Sequence, residues 1–340
     1  MMKKLLVLPL IFFFAASIFA QTSNNLLSAG YEQLRITDDL RKRPIHLDIW
    51  YPSRGEEKEN NYGISKGSVV KGAKITGNKL PVILLSHGAM GAASNYSWLA
   101  EYLSRRGYVV LGVSHFGESP VFGQDSIDIT SVSRFGDRTK DFNFALEFLL
   151  EKSKYAANLD ANKIGAIGHS SGGSTVLMLA GVAFSPKNLA DYCKKKPADD
   201  KGCSYPQSAE IDEQRTLPTR SNHSIKAVVA LDPAVGPGFT EESLKSVKIP
   251  TLIIGSVKND FLPYSSHAGH ISSFIKKSKV IKLDNGEGHF VYLDECNLPI
   301  KAMGVSLCTD AEGVDRKAIH LKLSSEIEQF LNKKLSVKKK

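Results

Sequence analysis

The segment Gly168–Gly172, which reads Gly-His-Ser-Ser-Gly, constrains the possible fold more than any other stretch of the chain. A predicted strand, 163–167, precedes it, and an apolar segment, 175–183, follows it at once. The pattern G-x-S-x-G between a strand and a helix is typical of a nucleophile elbow, a sharp turn that presents a serine at the edge of a sheet. Its glycines leave room for the strained backbone. The sequence therefore predicts Ser170 as a nucleophile beside the N-terminus of a helix, where negative charge is stabilised.

Strands and helices alternate along the rest of the chain, which predicts βαβ units, right-handed crossovers and a mostly parallel sheet. The 340 residues suffice for one large α/β domain, expected over 21–340. The predicted strands are 32–36, 44–52, 80–86, 108–113, 163–167, 225–231, 250–255 and 278–283. The predicted helices are 94–106, 141–151, 241–245, 265–276 and 316–335. Residues 54–79 show neither the helical nor the strand pattern of apolar residues and are predicted to be a long mobile loop.

An insertion at 184–223 interrupts this alternation directly after the elbow helix. It is either a cap over the site or a passive surface excursion. The four cysteines of the chain form two local pairs, and short loop closure favours the bonds Cys193–Cys203 and Cys296–Cys308 among three connectivities. A metal site is the competing interpretation, but the cysteines lack both the C-x₂₋₄-C spacing and nearby histidines.

The first 20 residues have the pattern of a secretory signal peptide, with Lys3 and Lys4 before an apolar run that ends at Ala20. An uncleaved N-terminal anchor is the alternative. No cysteine follows the run, so a lipoprotein anchor is not expected. No second run approaches transmembrane length. We therefore expect a periplasmic or secreted protein without stable membrane insertion, in a compartment that allows disulfides.

The net charge of +9 is spread over a large domain and includes a lysine-rich C-terminal tail. It predicts a solvated basic surface, with attraction to anionic lipid or cell wall left open. No nucleic-acid motif accompanies this charge, so nucleic acid is not an expected partner.

At this point the chain resembles the α/β-hydrolase superfamily over nearly all of its expected mature length. Within the superfamily it is similar to the bacterial dienelactone-hydrolase-like group, allied to platelet-activating-factor acetylhydrolases and polyester-degrading cutinases. The matching segments are 86–88, 168–173, 231–233, 249–255 and 286–290. True dienelactone hydrolases are similar in fold but use a cysteine nucleophile. Because this elbow holds a serine, the resemblance does not imply lactone specificity.

The nucleophile needs a base, and the base needs an orienting acid. His289 is the predicted base, because it lies in a glycine-rich turn after the last strand and fits the chain order Ser…Asp…His of this fold. Asp260, after strand 250–255, is the favoured acid and is similar to the cutinase pattern. Asp232, after strand 225–231, is the alternative acid and is similar to the acetylhydrolase pattern.

The oxyanion hole is expected to consist of the backbone N–H groups of Ser171 and Ala89, with Met90 as the reserve. These residues predict an exported serine hydrolase that cleaves carboxylic esters through an acyl-enzyme, without a cofactor or metal. Its expected partner is a small-molecule or lipid ester, and the sequence leaves the oligomeric state open. The alternatives are a phospholipase-type lipid acyl hydrolase and a catalytically silent α/β-hydrolase fold used for binding.

Overall fold

The computed structural model describes residues 27–195, 199–205, 222 and 224–337. In this part of the chain, ten strands form one sheet in the order β10-β9-β8-β7-β5-β6-β2-β1-β4-β3. The strands are β1 (Ser28–Asp38), β2 (Arg43–Ser53), β3 (Lys58–Asn61), β4 (Lys66–Lys71), β5 (Leu80–Ser86), β6 (Val109–His115), β7 (Leu159–His169), β8 (Ile225–Leu231), β9 (Thr251–Ser256) and β10 (Ser278–Leu283). The predicted signal peptide, 1–20, lies outside the described residues.

The six strands from β5 to β10 run parallel to one another, as the alternating pattern predicts. β5 and β6 are buried along their whole length, which explains their nearly continuous apolar sequences. β1 and β2 form an antiparallel hairpin, and β2 joins the parallel part by pairing antiparallel with β6. The prediction of an α/β fold with a mostly parallel sheet is confirmed.

The prediction of a loop over 54–79 is wrong, because β3 and β4 lie in this segment and extend the sheet beyond β1. Few apolar residues fix these polar strands. Val69 is buried, and Tyr62 packs against Trp50, whose indole N–H donates a hydrogen bond of 2.9 Å to the Tyr62 hydroxyl. Polar residues are common on edge strands, since charge there discourages pairing with another chain. This segment therefore carries almost no alternating pattern that would reveal it.

Helices cover both faces of the sheet. The α-helices in the described residues are α1 (Ser97–Ser104), α2 (Phe135–Glu147), α3 (Ser171–Leu179), α4 (Pro186–Lys195), α5 (Glu241–Ser246), α6 (Ala268–Phe274) and α7 (Arg316–Lys334). α2, α3 and α6 bury side chains such as Phe142 and Val176 in one core layer. α1 and α7 bury Leu99 and Ile327 in the other layer. Parallel strands with helices on both faces bring all their carboxyl ends to one edge, where such folds bind ligands.

Two disulfide bonds, Cys193–Cys203 and Cys296–Cys308, have the local pairing predicted from the sequence. The first ties the end of α4 to the segment after it, inside the predicted insertion. The second encloses a small hairpin of β11 (Lys301–Ala302) and β12 (Val305–Ser306), which the sequence analysis missed. Across the described ranges, no helix combines the length and the apolar character that crossing a membrane requires.

Candidate active site

Ser170 lies between the last residue of β7 and the first residue of α3. Its backbone has φ 55° and ψ −122°, a conformation that a residue with a side chain rarely adopts. Close packing enforces this turn. A Cβ added to Gly168 would lie 2.2 Å from the carbonyl oxygen of Gly172. A Cβ added to Gly172 would lie 2.1 Å from the carbonyl oxygen of Ser86. Only glycine fits at both positions, so the predicted elbow geometry is present.

His289 reaches the elbow from the turn after β10. Its Nε2 lies 3.0 Å from the Ser170 hydroxyl oxygen, a hydrogen-bonding distance. Burial lowers the pKa of His289, and the nearby Asp260 carboxylate opposes that shift in part. The imidazole is therefore neutral at physiological pH, with one nitrogen free to accept a proton.

The two predicted acids occupy different places. Asp232 follows β8, and its Oδ2 lies 3.7 Å from His289 Nδ1, while its Oδ1 accepts a hydrogen bond of 2.8 Å from the Ser256 backbone N–H. Asp260 is exposed, and its Oδ1 accepts a hydrogen bond of 2.8 Å from the backbone N–H of His289. Asp232 thus faces the imidazole, whereas Asp260 supports the backbone of the same residue. The sequence favours Asp260 as the acid, whereas the structure directs the Asp232 carboxylate, and not that of Asp260, toward the ring.

The physical reason lies in the two turns. Asp232 is the first residue after a buried strand, and its φ of 37° directs the side chain into the site, where it is buried. Burial raises the pKa of Asp232 to about 8, and the hydrogen bonds from Ser256 oppose that rise. Asp260 lies four residues beyond β9, where the chain has already returned to the surface. Residue spacing alone does not distinguish these outcomes.

Asn259 is a neighbour of the imidazole that the sequence analysis did not single out. Its Nδ2 lies 3.3 Å from His289 Nδ1. Its Oδ1 accepts hydrogen bonds of 2.9 and 2.7 Å from the backbone N–H groups of Phe261 and Leu262. An asparagine in a loop is usually a turn residue, so its type gave no signal of this contact.

A chain of hydrogen bonds connects three loops of the site. The backbone N–H of Gly88 donates to the Tyr96 hydroxyl at 3.0 Å, and that hydroxyl donates to His169 Nδ1 at 2.9 Å. His169 Nε2 then donates to the carbonyl oxygen of His289 at 2.9 Å. Burial lowers the pKa of His169 well below its usual value, which keeps it neutral as this chain requires. His169 was visible in the elbow motif, but its partners are distant in sequence.

The loop after β5 lies directly against the elbow, because a Cβ on Gly88 would be 3.4 Å from the Ser170 Cβ. The buried guanidinium of Arg138 binds the backbone of this loop. Arg138 forms a bidentate ion pair with Glu118 at 2.8 Å and donates a hydrogen bond of 2.9 Å to the carbonyl oxygen of His87. Ala89, the expected oxyanion donor, follows this anchored stretch.

The remaining expected oxyanion residues are Ser171, the first residue of α3, and the reserve Met90. Met90 has φ 58° in a tight turn in which the Gly91 N–H donates to the carbonyl oxygen of Gly88 at 3.2 Å. The turn after β5 and the start of α3 therefore hold these backbone N–H groups in place, as a preorganised oxyanion hole requires.

An apolar cavity of about 530 Å³ opens beside Ser170. Its walls include Phe135, Phe184, Leu189 and Leu262, together with the Cys193–Cys203 disulfide. α4, from the predicted insertion, contributes Pro186, Leu189 and Ala190 to one side of the cavity. Residues 196–198, 206–221 and 223 of the insertion lie outside the described residues. Cavities of this volume hold small-molecule ligands.

Within the described ranges, no group of three or more His, Cys, Asp or Glu residues could hold a metal ion.

Comparison with known proteins supports this description. The family model described as Chlorophyllase matches residues 52–190. Cutinase 1 of Thermobifida cellulosilytica is 23% identical over 67% of this chain and 65% of its own length. Cutinase est1 of Thermobifida alba is 23% identical over 56% of this chain and 46% of its own length. The chain thus spans between about half and two thirds of these relatives.

A solved structure of ferulic acid esterase from Streptomyces cinnamoneus matches with a TM-score of 0.61 at 18% identity, over 95% of this chain and 94% of that one. At this identity the match establishes the fold. Together with the Chlorophyllase family model and the similarity to cutinases, this match supports an α/β-hydrolase fold similar to that of the cutinase-like group.

Proposed function

We propose that this protein is a serine hydrolase that cleaves carboxylic esters through an acyl-enzyme. The observation that carries the proposal is the 3.0 Å contact between the Ser170 hydroxyl and Nε2 of a buried, neutral His289. A serine is inert as a nucleophile unless such a base removes its proton. The names of the relatives, cutinase and ferulic acid esterase, support the same reaction class.

In the proposed mechanism, Ser170 attacks the ester carbonyl while His289 Nε2 accepts the hydroxyl proton. The negative oxygen of the tetrahedral intermediate binds the N–H groups of Ala89 and Ser171. His289 then gives the proton to the departing alcohol, which leaves the acyl group on Ser170. A water molecule attacks the acyl-enzyme by the same steps and releases the acid. Asp232 is the proposed acid, because its carboxylate faces Nδ1 of the imidazole.

The apolar cavity supports an ester whose acyl group is apolar. Ser170, Ser171 and Ala234 form the catalytic end of the cavity. The leaving alcohol must lie beside His289, which protonates it. The ring of Phe261 stacks on His289 at 5.1 Å between centroids and also lines the cavity, so it separates the imidazole from that space. We therefore assign the cavity to the acyl group, which also fits a lipid acyl hydrolase.

Export is part of the proposal. Two disulfide bonds favour an oxidising compartment such as the periplasm or the extracellular space. The predicted signal peptide would direct the chain there, and intact mass of the exported protein tests its removal.

Labelling with a fluorophosphonate probe tests the activated serine. We expect labelling of the wild type and none of Ser170→Ala, with a loss on the order of 10⁶ in kcat for aryl esters. Retention of substantial activity by pure, folded Ser170→Ala protein would contradict the proposal.

Two series of esters test the acyl assignment, one with varied acyl groups and one with varied alcohols. We expect kcat/KM to depend more steeply on acyl length. Leu189→Trp should shorten the preferred acyl chain, because it fills the cavity from α4. Leu321→Trp, on the exposed side of α7, is the control and should leave the profile unchanged. A preference that follows the alcohol would reject the assignment.

A further inference from the structure

We propose that Asn259 is a positioning residue that competes with Asp232 for Nδ1 of His289 and thereby selects the imidazole tautomer. This inference rests on the proposed function, because the tautomer matters only if His289 acts as the base for Ser170. It adds a residue and a control of activity that the Ser-His-Asp arrangement does not contain.

The orientation of the Asn259 amide is fixed by its surroundings. Its oxygen accepts two backbone N–H groups, those of Phe261 and Leu262, at 2.9 and 2.7 Å. Only an oxygen can accept both bonds, so the NH₂ end must face His289 Nδ1 at 3.3 Å. The amide can donate a hydrogen to Nδ1 but cannot accept one from it.

Asp232 makes the opposite demand on the same nitrogen. Its ionised carboxylate can only accept, so it requires a hydrogen on Nδ1. Its Oδ2 is buried, has no hydrogen-bond partner among the described residues, and lies 3.7 Å from Nδ1. That separation is too long for a hydrogen bond. In the structure, therefore, Asn259 is closer to Nδ1 than Asp232 is.

The two arrangements differ in chemistry. When Asn259 donates to Nδ1, the single ring hydrogen is on Nε2 and points at the Ser170 hydroxyl, so the imidazole cannot accept that proton. When Asp232 accepts from Nδ1–H, Nε2 carries the lone pair and can act as the base. Conversion releases the Asp232 proton to solvent and moves the ring hydrogen from Nε2 to Nδ1. No electron transfer or co-reactant is involved.

Charged and titratable groups from each surrounding loop influence this conversion. Burial raises the pKa of Asp232 to about 8, the Asp260 carboxylate adds to that rise, and His267 opposes it. The other groups around the pair are Asp200, His169, Glu287 and Tyr292. Because a protonated Asp232 accepts from Nδ1–H much more weakly than the carboxylate does, the arrangement set by Asn259 should persist at neutral pH and give way at mildly alkaline pH.

The substitution Asn259→Asp provides a sharp test. It keeps the oxygen that accepts from Phe261 and Leu262 and replaces the donor by an acceptor. We expect the acid limb of the kcat/KM profile to fall by about one pH unit, toward the ordinary histidine value of about 6.5. We also expect Asn259→Asp to rescue Asp232→Asn by about a hundredfold of the roughly 10⁴ that the single change costs, because the new carboxylate accepts from Nδ1–H.

The matched control is Asn285→Asp, which makes the same chemical change on the exposed turn before His289. It should neither move the acid limb nor rescue Asp232→Asn. Absence of both effects in folded Asn259→Asp protein would overturn the inference. Equal effects from Asn285→Asp would overturn it too, since the electrostatic effect of any added negative charge near His289 would then explain them.

Nitrogen NMR of the wild type tests the tautomer without any substitution and without a substrate. We expect the His289 hydrogen on Nε2 at pH 6.5 and on Nδ1 above pH 9. A hydrogen on Nδ1 throughout would overturn the inference, even if Asn259→Asp fails to fold. Failure of the proposed function is a separate result: the wild type would then hydrolyse no ester and resist the fluorophosphonate, whatever the tautomer.

Discussion

The turns after β8 and β9 each bring a carboxylate to His289, yet the two carboxylates contact different parts of that residue. Asp232 is buried and faces the ring nitrogen, at 3.7 Å. Asp260 is exposed and binds the backbone N–H, at 2.8 Å. The first faces the ring nitrogen whose hydrogen decides the tautomer, whereas the second holds the backbone of the residue and acts on the ring only through its charge. Proximity to a histidine is therefore not enough to identify its acid. The atom of the histidine that each carboxylate contacts is the better criterion.

The largest expected effect is the loss of activity in Asp232→Asn. We expect kcat to fall by about 10⁴, because an amide in place of the orienting carboxylate favours the wrong tautomer of the histidine. Steady-state hydrolysis of an aryl ester measures this loss, and circular dichroism verifies the fold. A fall of less than about tenfold would remove Asp232 from the proposed role.

Asp260→Asn should lose roughly tenfold at most, because the amide oxygen can still accept the His289 N–H and only the strengthening by charge is lost. Because the Asp260 carboxylate adds to the raised pKa of Asp232, its loss should move the acid limb of the pH profile slightly to lower pH. If this variant were instead as impaired as Asp232→Asn, the distinction between the two turns would fail, and both carboxylates would serve the imidazole.

Ser256→Ala tests whether the pKa of Asp232 sets the pH dependence of activity. The Ser256 hydroxyl lowers the pKa of Asp232, so its removal should raise that pKa and move the acid limb of activity to higher pH. At pH 7 we expect a loss of roughly fivefold, the worth of a hydrogen bond of about 1 kcal/mol. Ser278→Ala, at the start of β10, is the matched control. If the acid limb did not move, titration of Asp232 would not be the cause of the pH dependence of activity.

The smallest expected effect concerns stability. The pKa of Asp232 is raised to about 8 in the folded state, above the value of about 3.9 in an unfolded chain. The folded state therefore binds the proton more tightly, and stability falls as pH rises between these values. Asp232→Asn removes this penalty, so its Tm should exceed that of the wild type by a few degrees at pH 8 and match it near pH 3. Asp260→Asn should show a much smaller difference, because Asp260 is a minor cause of the raised pKa of Asp232. Calorimetry at both pH values decides.

The parallel half of the fold could be predicted because strands that are buried on both faces have nearly continuous apolar sequences. β5, β8 and β10 begin and end within a residue or so of their predicted bounds. α2 begins at Phe135, six residues before the start of the predicted helix 141–151. Arg138 and Asp141 are fully buried in ion pairs there, which hides the usual difference between polar and apolar faces.

The candidate site shows a similar division. Ser170 and His289 belong to local patterns in which glycines and chain order indicate the role, and the structure brings their side chains together. Asp232 and Asp260 both follow strands at the same edge, and only the backbone of each turn decides which faces the ring. Tyr96 and Asn259 contact histidines far away in the sequence, and their residue types carry no signal of these contacts.

The Cys193–Cys203 bond forms part of the wall of the cavity beside Ser170, so we expect the breadth of that cavity to depend on the oxidation state in which the chain matures. We expect protein made in a reducing cytosol to have a less defined binding space than exported protein with the same sequence. Variant libraries screened inside cells would then rank long and short esters differently from libraries screened after export. The choice of host would thus become part of the specificity that is measured.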